Sequence, residues 1–269
     1  MDEVNTTLSR SRGHVMSPDG TRIAYERYGD GPPLVLVSGA LCTAEDEQPL
    51  GGLLAARHTV VAYDRRGRGR SGDAPAYAVQ REIEDLAALV EEFGGQVAVH
   101  GTSSGAALAL AAAAAGAPMT RLSVFEPPYS ADPESRTAEA AHTARLTELL
   151  DQGLREAALE LFLSEAMPAQ ALAGLRGSPA WAALLEVAPT LAYDCAVLGD
   201  GQVPTVLLAG VRTRVLVIDG GASPLWMREG AVAVAASLPR GRHRTLTGQT
   251  HMVAPHVLAP VLADFLAED

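Results

Sequence analysis

The sequence predicts an α/β fold: a mainly parallel central sheet flanked by helices, with a helical segment inserted between two late strands. Three observations predict it. Short apolar runs of strand length alternate with helical stretches between Leu34 and Phe125. The alternation stops over 130–213, where the chain reads as helices and loops, and resumes at Val215. Finally, the apolar run Val97-Ala98-Val99 passes through Gly101-Thr102-Ser103-Ser104-Gly105 directly into an alanine-rich helix, a sharp strand–turn–helix junction. The 269 residues suffice for one large α/β domain or a core with an insertion. With 48% hydrophobic but only 4% aromatic residues, alanine, leucine and valine must fill the core.

Two early strands, near 14–16 and over Arg22–Tyr28, flank the turn Ser17-Pro18-Asp19-Gly20. Buried strands follow at 34–37, ending in Ser38-Gly39-Ala40, and at Thr59–Tyr63, ending at Asp64. Val79, Ile83, Leu86, Leu89, Val90 and Phe93 share one face of a helix that Gly94-Gly95 closes. A strand at 97–99, a helix from 104 to about 115 and a strand at 121–125, stopped by Pro127-Pro128, come next. Inside the insertion, 137–150, 155–166 and 181–193 read as helices. Strands near 215–218 and 243–246 and a last helix over 254–265 complete the chain. The division expected is a core of 1–129 and 214–269 with a helical cap at 130–213.

A net charge of −11 argues against nucleic acid, whose phosphates need a basic field. The densest basic run, Arg65-Arg66-Gly67-Arg68-Gly69-Arg70, reads as a solvated loop at a strand end. Cys42 and Cys195 have neither metal nor redox spacing. No cluster has metal-ligand spacing, and a chain without lysine has no phosphate-loop lysine, so no metal and no cofactor is expected. Residues 1–5 are polar and acidic, unlike a signal peptide, and glycines, prolines and charges interrupt the apolar runs, so no membrane span is expected. The expectation is a cytoplasmic protein acting on a small-molecule substrate; the sequence sets no oligomeric state.

Gly-x-Ser-x-Gly in this setting describes a nucleophile elbow, a strained turn that exposes the hydroxyl of Ser103. A serine hydroxyl is a poor nucleophile until a histidine takes its proton, and a carboxylate must orient that histidine. His251, in Gly248-Gln249-Thr250-His251 between the late strand and the last helix, is the candidate base. His14, His58, His142, His243 and His256 lie in or beside other elements, and His100, just before the elbow, is expected to pack or hydrogen-bond locally.

With these motifs, and with Ser38-Gly39-Ala40 and Asp64-Arg65-Arg66-Gly67-Arg68-Gly69-Arg70-Ser71 after their strands, the chain resembles the α/β-hydrolase superfamily. The likeness is to serine-nucleophile members with a helical cap, and it covers nearly the whole length. It implies the α/β-hydrolase fold, Ser103 as nucleophile, His251 as base, and an oxyanion hole from the backbone N–H groups of Ala40 and Ser104. Relatives often carry His-Gly where this chain has Ser38-Gly39, a departure that leaves the backbone donors intact.

Relatives commonly place the acid in the loop after the strand that follows the cap. Here that loop is Gly220-Gly221-Ala222-Ser223-Pro224, and Ser223 stands at the acid position. Asp219 and Glu126 remain. Glu126 is preferred, because some relatives place the acid after that earlier strand and Pro127-Pro128 stiffens the turn. Leu41, Tyr129 and Trp226 are expected to line the substrate pocket, with Trp181 and Met227 as further candidates; Cys42 reads as a small buried apolar residue.

The resemblance implies a carboxylic-ester type of hydrolase, cleaving an ester, lactone or thioester through an acyl-enzyme. A tailoring enzyme for cyclisation, lactonisation or C–C cleavage is the alternative on the same fold. A ligand-binding protein without turnover is another, favoured by the vacancy at Ser223.

Overall fold

The computed structural model describes residues 10–268, apart from the side chains of 133–139 and 166; residues 1–5, discussed above, lie outside it. The first half runs β1 (Arg10–Met16), β2 (Arg22–Tyr28), β3 (Pro33–Val37), α1 (Gln48–Leu54), β4 (Thr59–Tyr63), α2 (Val79–Glu92), β5 (Val97–Thr102), α3 (Ser104–Ala114) and β6 (Met119–Phe125). Helices α4 (Pro133–Asp151), α5 (Arg155–Ala166), α6 (Ala169–Arg176), α7 (Ala180–Val187), α8 (Leu191–Leu198) and the short α9 (Thr205–Leu208) follow, with a 3-10 turn, Ala188–Thr190, between α7 and α8. The chain then returns to the sheet through β7 (Arg214–Gly220), α10 (Leu225–Ser237), β8 (Gly241–Leu246) and α11 (Pro255–Leu266).

The eight strands form one sheet in the order β1-β2-β4-β3-β5-β6-β7-β8. β1, β2 and β4 pair antiparallel, and every pairing from β4 across to β8 is parallel. This is the α/β-hydrolase fold that the sequence implies.

Period-2 alternation sorts the strand residues onto two covered faces. Val35, Val37, Val61, Tyr63, Val99, Leu122, Val124, Val215 and Val217 join the alanine-rich face of α3, α2 and part of α10. Leu34, Leu36, Val60, Ala62, Ala98, Phe125, Leu216 and Ile218 face the other way, into a core with α1 and α11. The inserted helices bring a third cluster, in which Leu146, Leu149, Leu159, Leu163, Trp181, Val187 and Leu191 pack on Leu41. Helix α9 and Val211 already belong to the α3 face of the sheet.

Several elements differ from expectation. β1 begins at Arg10 rather than near His14, because it pairs with β2 along its whole length and Glu26 collects Arg10 and Arg12. The helix expected over 181–193 is broken by the turn at Ala188–Thr190, where Pro189 lacks the N–H that a continuous helix needs. Helices α1, α6 and α10 were not anticipated. The stretch Ala180–Leu198 is long and apolar enough to cross a membrane by length and composition, contrary to the expectation. In this fold it is α7, the turn and α8 in succession, with Trp181, Val187, Leu191 and Asp194 buried against neighbours.

Parallel register sets the positions that matter next. Thr102 pairs with Phe125, and Phe125 with Ile218, so Ser103 and Glu126 each lie one residue past the matched ends of β5 and β6, level with Asp219 near the end of β7. Chemistry at such strand ends is the general habit of parallel α/β sheets.

Candidate active site

Ser103 leaves β5 at φ 55° and ψ −126°, a conformation that L-residues rarely adopt. Its N–H donates to the Phe125 carbonyl at 2.9 Å, and its own carbonyl accepts the Ala106 N–H at 2.9 Å, opening α3. The flanking glycines are required by space. A Cβ on Gly105 would lie 2.3 Å from the Val37 carbonyl oxygen, and one on Gly101 would lie 2.6 Å from the Gly105 oxygen. The loop after β3 runs beside the serine, since a Cβ on Gly39 would stand 3.1 Å from Ser103 Cβ and 3.7 Å from its Oγ.

Glu126 is fully buried, with a backbone φ of 44°. Its Oε2 lies 2.7 Å from His251 Nδ1, and its Oε1 accepts the Gly220 N–H at 2.7 Å. A buried carboxylate on Nδ1 favours the tautomer with the proton there, which leaves Nε2 as the proton acceptor. His251 packs near Phe125, with ring centroids 6.4 Å apart, and its side chain keeps 34% exposure.

The competing carboxylate is engaged elsewhere. Asp219 Oδ1 lies 2.9 Å from His243 Nε2 and accepts Thr245 Oγ1 at 2.7 Å, while Oδ2 is 3.4 Å from Arg228 Nε. Strand parity explains this. Asp219 follows Val215 and Val217 onto the α10 side, whereas Phe125, beside His251, faces the α1 and α11 side. Ser223, at the vacated acid position, has a buried hydroxyl with no hydrogen-bond partner.

Among the described residues, the non-glycine positions with positive φ are Leu41, Ser103 and Glu126. All three belong to this one locality. Strain of this kind persists only where surrounding structure enforces it, and it collects at functional sites.

The basic run is where the structure corrects the sequence reading. Arg65, Arg66 and Arg68 are at most 1% exposed and do not form a solvated loop. Arg65 grips Glu82 through Nε and Nη2 at 2.7 and 2.8 Å and reaches Asp194 through Nη1 at 2.7 Å. Arg66 holds Asp85 at 2.8 and 2.7 Å and Asp19 at 3.0 Å. Arg68 holds both oxygens of Asp194 at 2.9 and 2.8 Å, with Thr190 Oγ1 at 3.0 Å. The physical reason is supply of counter-ions from distant segments, which makes burial of the guanidinium tolerable.

Burial opposes the charge of Arg65, but Glu82 and Asp194 outweigh it and raise its pKa well above the ordinary value. Burial likewise opposes ionisation of Asp194, yet Arg68, Arg65 and the Ser104 hydroxyl hold its pKa below the usual carboxylate range. Sequence reasoning missed Asp194. Its signal was a single acid in the apolar run Leu191-Ala192-Tyr193-Asp194-Cys195-Ala196-Val197.

Of the remaining candidates, Ala40 and Leu41 adjoin the inserted-helix cluster, and Trp181 belongs to it. Tyr129 packs instead in the α3-face core, and burial pushes its phenol pKa up. Trp226 is half-buried in the first turn of α10, and Met227 beside it is buried. Cys42 and Cys195 form no disulfide; burial pushes the Cys42 thiol up to about 12. His100 is buried with Nδ1 2.9 Å from Ser123 Oγ, and burial lowers its pKa to about 4. Among the described residues, no group of three or more His, Cys, Asp or Glu is arranged to hold a metal ion.

Comparison with known proteins places the chain in a family. The model of the alpha/beta hydrolase family matches residues 34–264. Curated relatives match over a shorter stretch. An uncharacterized hydrolase, YraK, of Bacillus subtilis is 37% identical over 95 residues, covering 34% of this chain and 35% of that protein. A non-heme chloroperoxidase of Streptomyces lividans is 38% identical over 99 residues, covering 35% and 36%. The chain thus spans about a third of the length of these curated relatives. Among solved structures, an alpha/beta hydrolase from Sphaerobacter thermophilus is 48% identical with a TM-score of 0.85, covering 95% of this chain and 100% of that one. An esterase from Thermogutta terrifontis shares the fold at 22% identity and a TM-score of 0.70, covering 95% and 98%. By the span of the family match and by its likeness to the Sphaerobacter structure, the chain belongs to the alpha/beta hydrolase family.

Proposed function

We propose that the chain is a serine hydrolase that cleaves an ester, lactone or thioester of a small apolar molecule through an acyl-enzyme. Ser103 is the nucleophile, His251 the general base and Glu126 the acid that orients it. The N–H groups of Ala40 and Ser104 form the oxyanion hole, and the inserted helices form a cap over the acyl group.

The observation that carries this reading is the pinning of His251 Nδ1 by Glu126, 2.7 Å away, from the strand end beside Ser103. It answers the vacancy at Ser223, the one feature that favoured a non-catalytic binder. In the proposed reaction His251 Nε2 takes the Ser103 proton as Oγ attacks the acyl carbon. The developing oxyanion is received by the two N–H groups, and the protonated histidine delivers the proton to the departing alcohol or thiol. Water then repeats the sequence on the acyl-enzyme, with His251 again as base. The Glu126 carboxylate holds the ring in place and stabilises the imidazolium. The apolar character of the acyl group is inferred from the cap cluster of Leu146, Leu159, Trp181 and Val187 around Leu41.

A fluorophosphonate probe with intact-mass readout and peptide mapping tests the reading. One adduct at Ser103, absent in Ser103→Ala, is expected. An adduct elsewhere that survives this substitution, or none at all with a small probe, refutes it.

A further inference from the structure

Asp194 takes no part in the mechanism above, yet it is 3% exposed and reaches the elbow from α8. It accepts the Ser104 hydroxyl at 2.7 Å, Arg65 Nη1 at 2.7 Å and Arg68 Nη2 at 2.9 and 2.8 Å. Ser104 Oγ in turn accepts Arg65 Nη1 at 3.2 Å. The same two arginines hold the opposite side of the proposed oxyanion hole. Arg65 Nη1 lies 3.4 Å from the Ser38 carbonyl, and Arg68 Nη1 lies 2.6 Å from the Gly39 carbonyl and 3.4 Å from that of Cys42.

The Gly39 carbonyl and the Ala40 N–H belong to one peptide plane. In a trans peptide they point in opposite directions. Arg68 therefore fixes where the Ala40 N–H points by gripping the carbonyl on its other edge. On the elbow side, Asp194 and Arg65 together hold the Ser104 side chain, and Ser104 carries the second N–H. A single carboxylate from the inserted helices thus reaches both halves of the hole. Arg65 and Arg68 are balanced by Glu82 and Asp194, so loss of Asp194 leaves a buried guanidinium charge uncompensated at that spot.

We propose that Asp194 is a positioning residue for the oxyanion hole. Docking of α8 sets the Ala40 and Ser104 N–H groups through Arg68, Arg65 and the Ser104 hydroxyl. The proposal rests on the serine-hydrolase reading. It makes the cap a part of the catalytic geometry as well as a roof.

The test compares Asp194→Asn, Ser104→Ala and Tyr193→Phe with the parent on a short p-nitrophenyl ester. Tyr193 supplies a neighbouring contact of the same helix, its hydroxyl donating to Asp73 at 2.8 Å, and serves as the control for docking alone. Asp194→Asn should lower kcat by about 10- to 100-fold at nearly constant KM, the scale of a misaligned oxyanion donor. It should weaken an aryl boronic acid, whose tetrahedral adduct fills the hole, by a similar factor. Ser104→Ala should lower kcat about tenfold, and the double variant should lose less than the product of the two, as coupled residues do. Tyr193→Phe should leave kcat unchanged.

A folded Asp194→Asn protein with kcat within twofold, or with KM raised and kcat held, overturns the proposal. If that variant fails to fold, an unchanged kcat in Ser104→Ala overturns it. If the parent neither turns over nor labels, the hydrolase reading fails separately. The amide resonances of Ala40 and Ser104 then decide the positioning claim: Asp194→Asn shifts both and Tyr193→Phe neither, or the claim is wrong.

Discussion

Replacement of Glu126 by glutamine tests the proposed acid with minimal change of shape. In the native site both carboxylate oxygens accept hydrogen bonds, Oε1 from the Gly220 N–H and Oε2 from His251 Nδ1, each at 2.7 Å. A glutamine has one acceptor and one donor end. The Gly220 N–H is a fixed donor on β7, so the amide oxygen must face it and the NH2 must face His251. That donor forces Nδ1 to be the acceptor and moves the imidazole proton to Nε2, where it blocks uptake of the Ser103 proton. A wrong tautomer of this kind costs roughly 10³- to 10⁴-fold in kcat, or about 4–5.5 kcal/mol of transition-state stabilisation. The assay is kcat/KM on a p-nitrophenyl ester, with circular dichroism to confirm the fold. Asp219→Asn is the matched control, because its carboxylate serves His243, Thr245 and Arg228 and should leave activity within a few-fold. Activity within tenfold of the parent in Glu126→Gln, together with a large loss in Asp219→Asn, would refute the reasoning.

Three further outcomes are expected. Gly105→Ala drives a Cβ to 2.3 Å from the Val37 oxygen and 2.4 Å from that of Ser38, and should cost about 1–3 kcal/mol in urea unfolding while abolishing probe labelling. His100 has a folded pKa of about 4 because it is buried. The unfolded chain therefore binds more protons between there and about 6.5, so its share of stability is whole above that range and falls by about 3 kcal/mol as pH drops through it. Urea midpoints across that range should flatten in His100→Gln, and an unchanged slope rejects the assignment. Arg66→Met strands Asp85, which is 1% exposed and paired with Arg66 at 2.7 Å, and should cost about 3–5 kcal/mol by the same measurement.

The sheet was legible because its signal is local. Val35 to Val37, Val60 to Tyr63 and Leu122 to Phe125 alternate between two cores, so each short apolar run announces a doubly covered strand. Helix α10 was illegible for the converse reason. Its Ala231-Val232-Ala233-Val234-Ala235 alternates small and branched residues and carries no helical contrast, and the helix forms because β7 and β8 offer it a face. Ser103 and His251 could be placed from their neighbours in sequence. Glu126 was reached through the vacancy at Ser223, the family resemblance and the stiff Pro127-Pro128 turn, since simple strand alternation from Leu122 and Val124 would send its side chain to the α3 face. The positive φ at Glu126 breaks that alternation, and no residue pattern announces it.

The basic loop failed as a sequence reading for a reason that also bears on the site. Like charges in a row are read as solvated because they repel and lack local partners. The partners here come from far along the chain: Glu82 and Asp85 from α2, Asp19 from the turn after β1, and Asp194 from α8. Glu82 and Asp85 stand three residues apart on the helix face that also carries Leu86 and Leu89, so the two acids enter the interior with the apolar residues. Once paired, three guanidiniums fasten α2, the early turn and the inserted helices to the end of β4. Arg65 and Arg68 also donate to the Ser38, Gly39 and Cys42 carbonyls beside the serine. Replacing such a network with apolar residues can match its stability, but apolar atoms give no direction to a peptide plane. Arg65 and Arg68 are therefore better explained by the geometry they impose on the loop after β3 than by the energy they contribute.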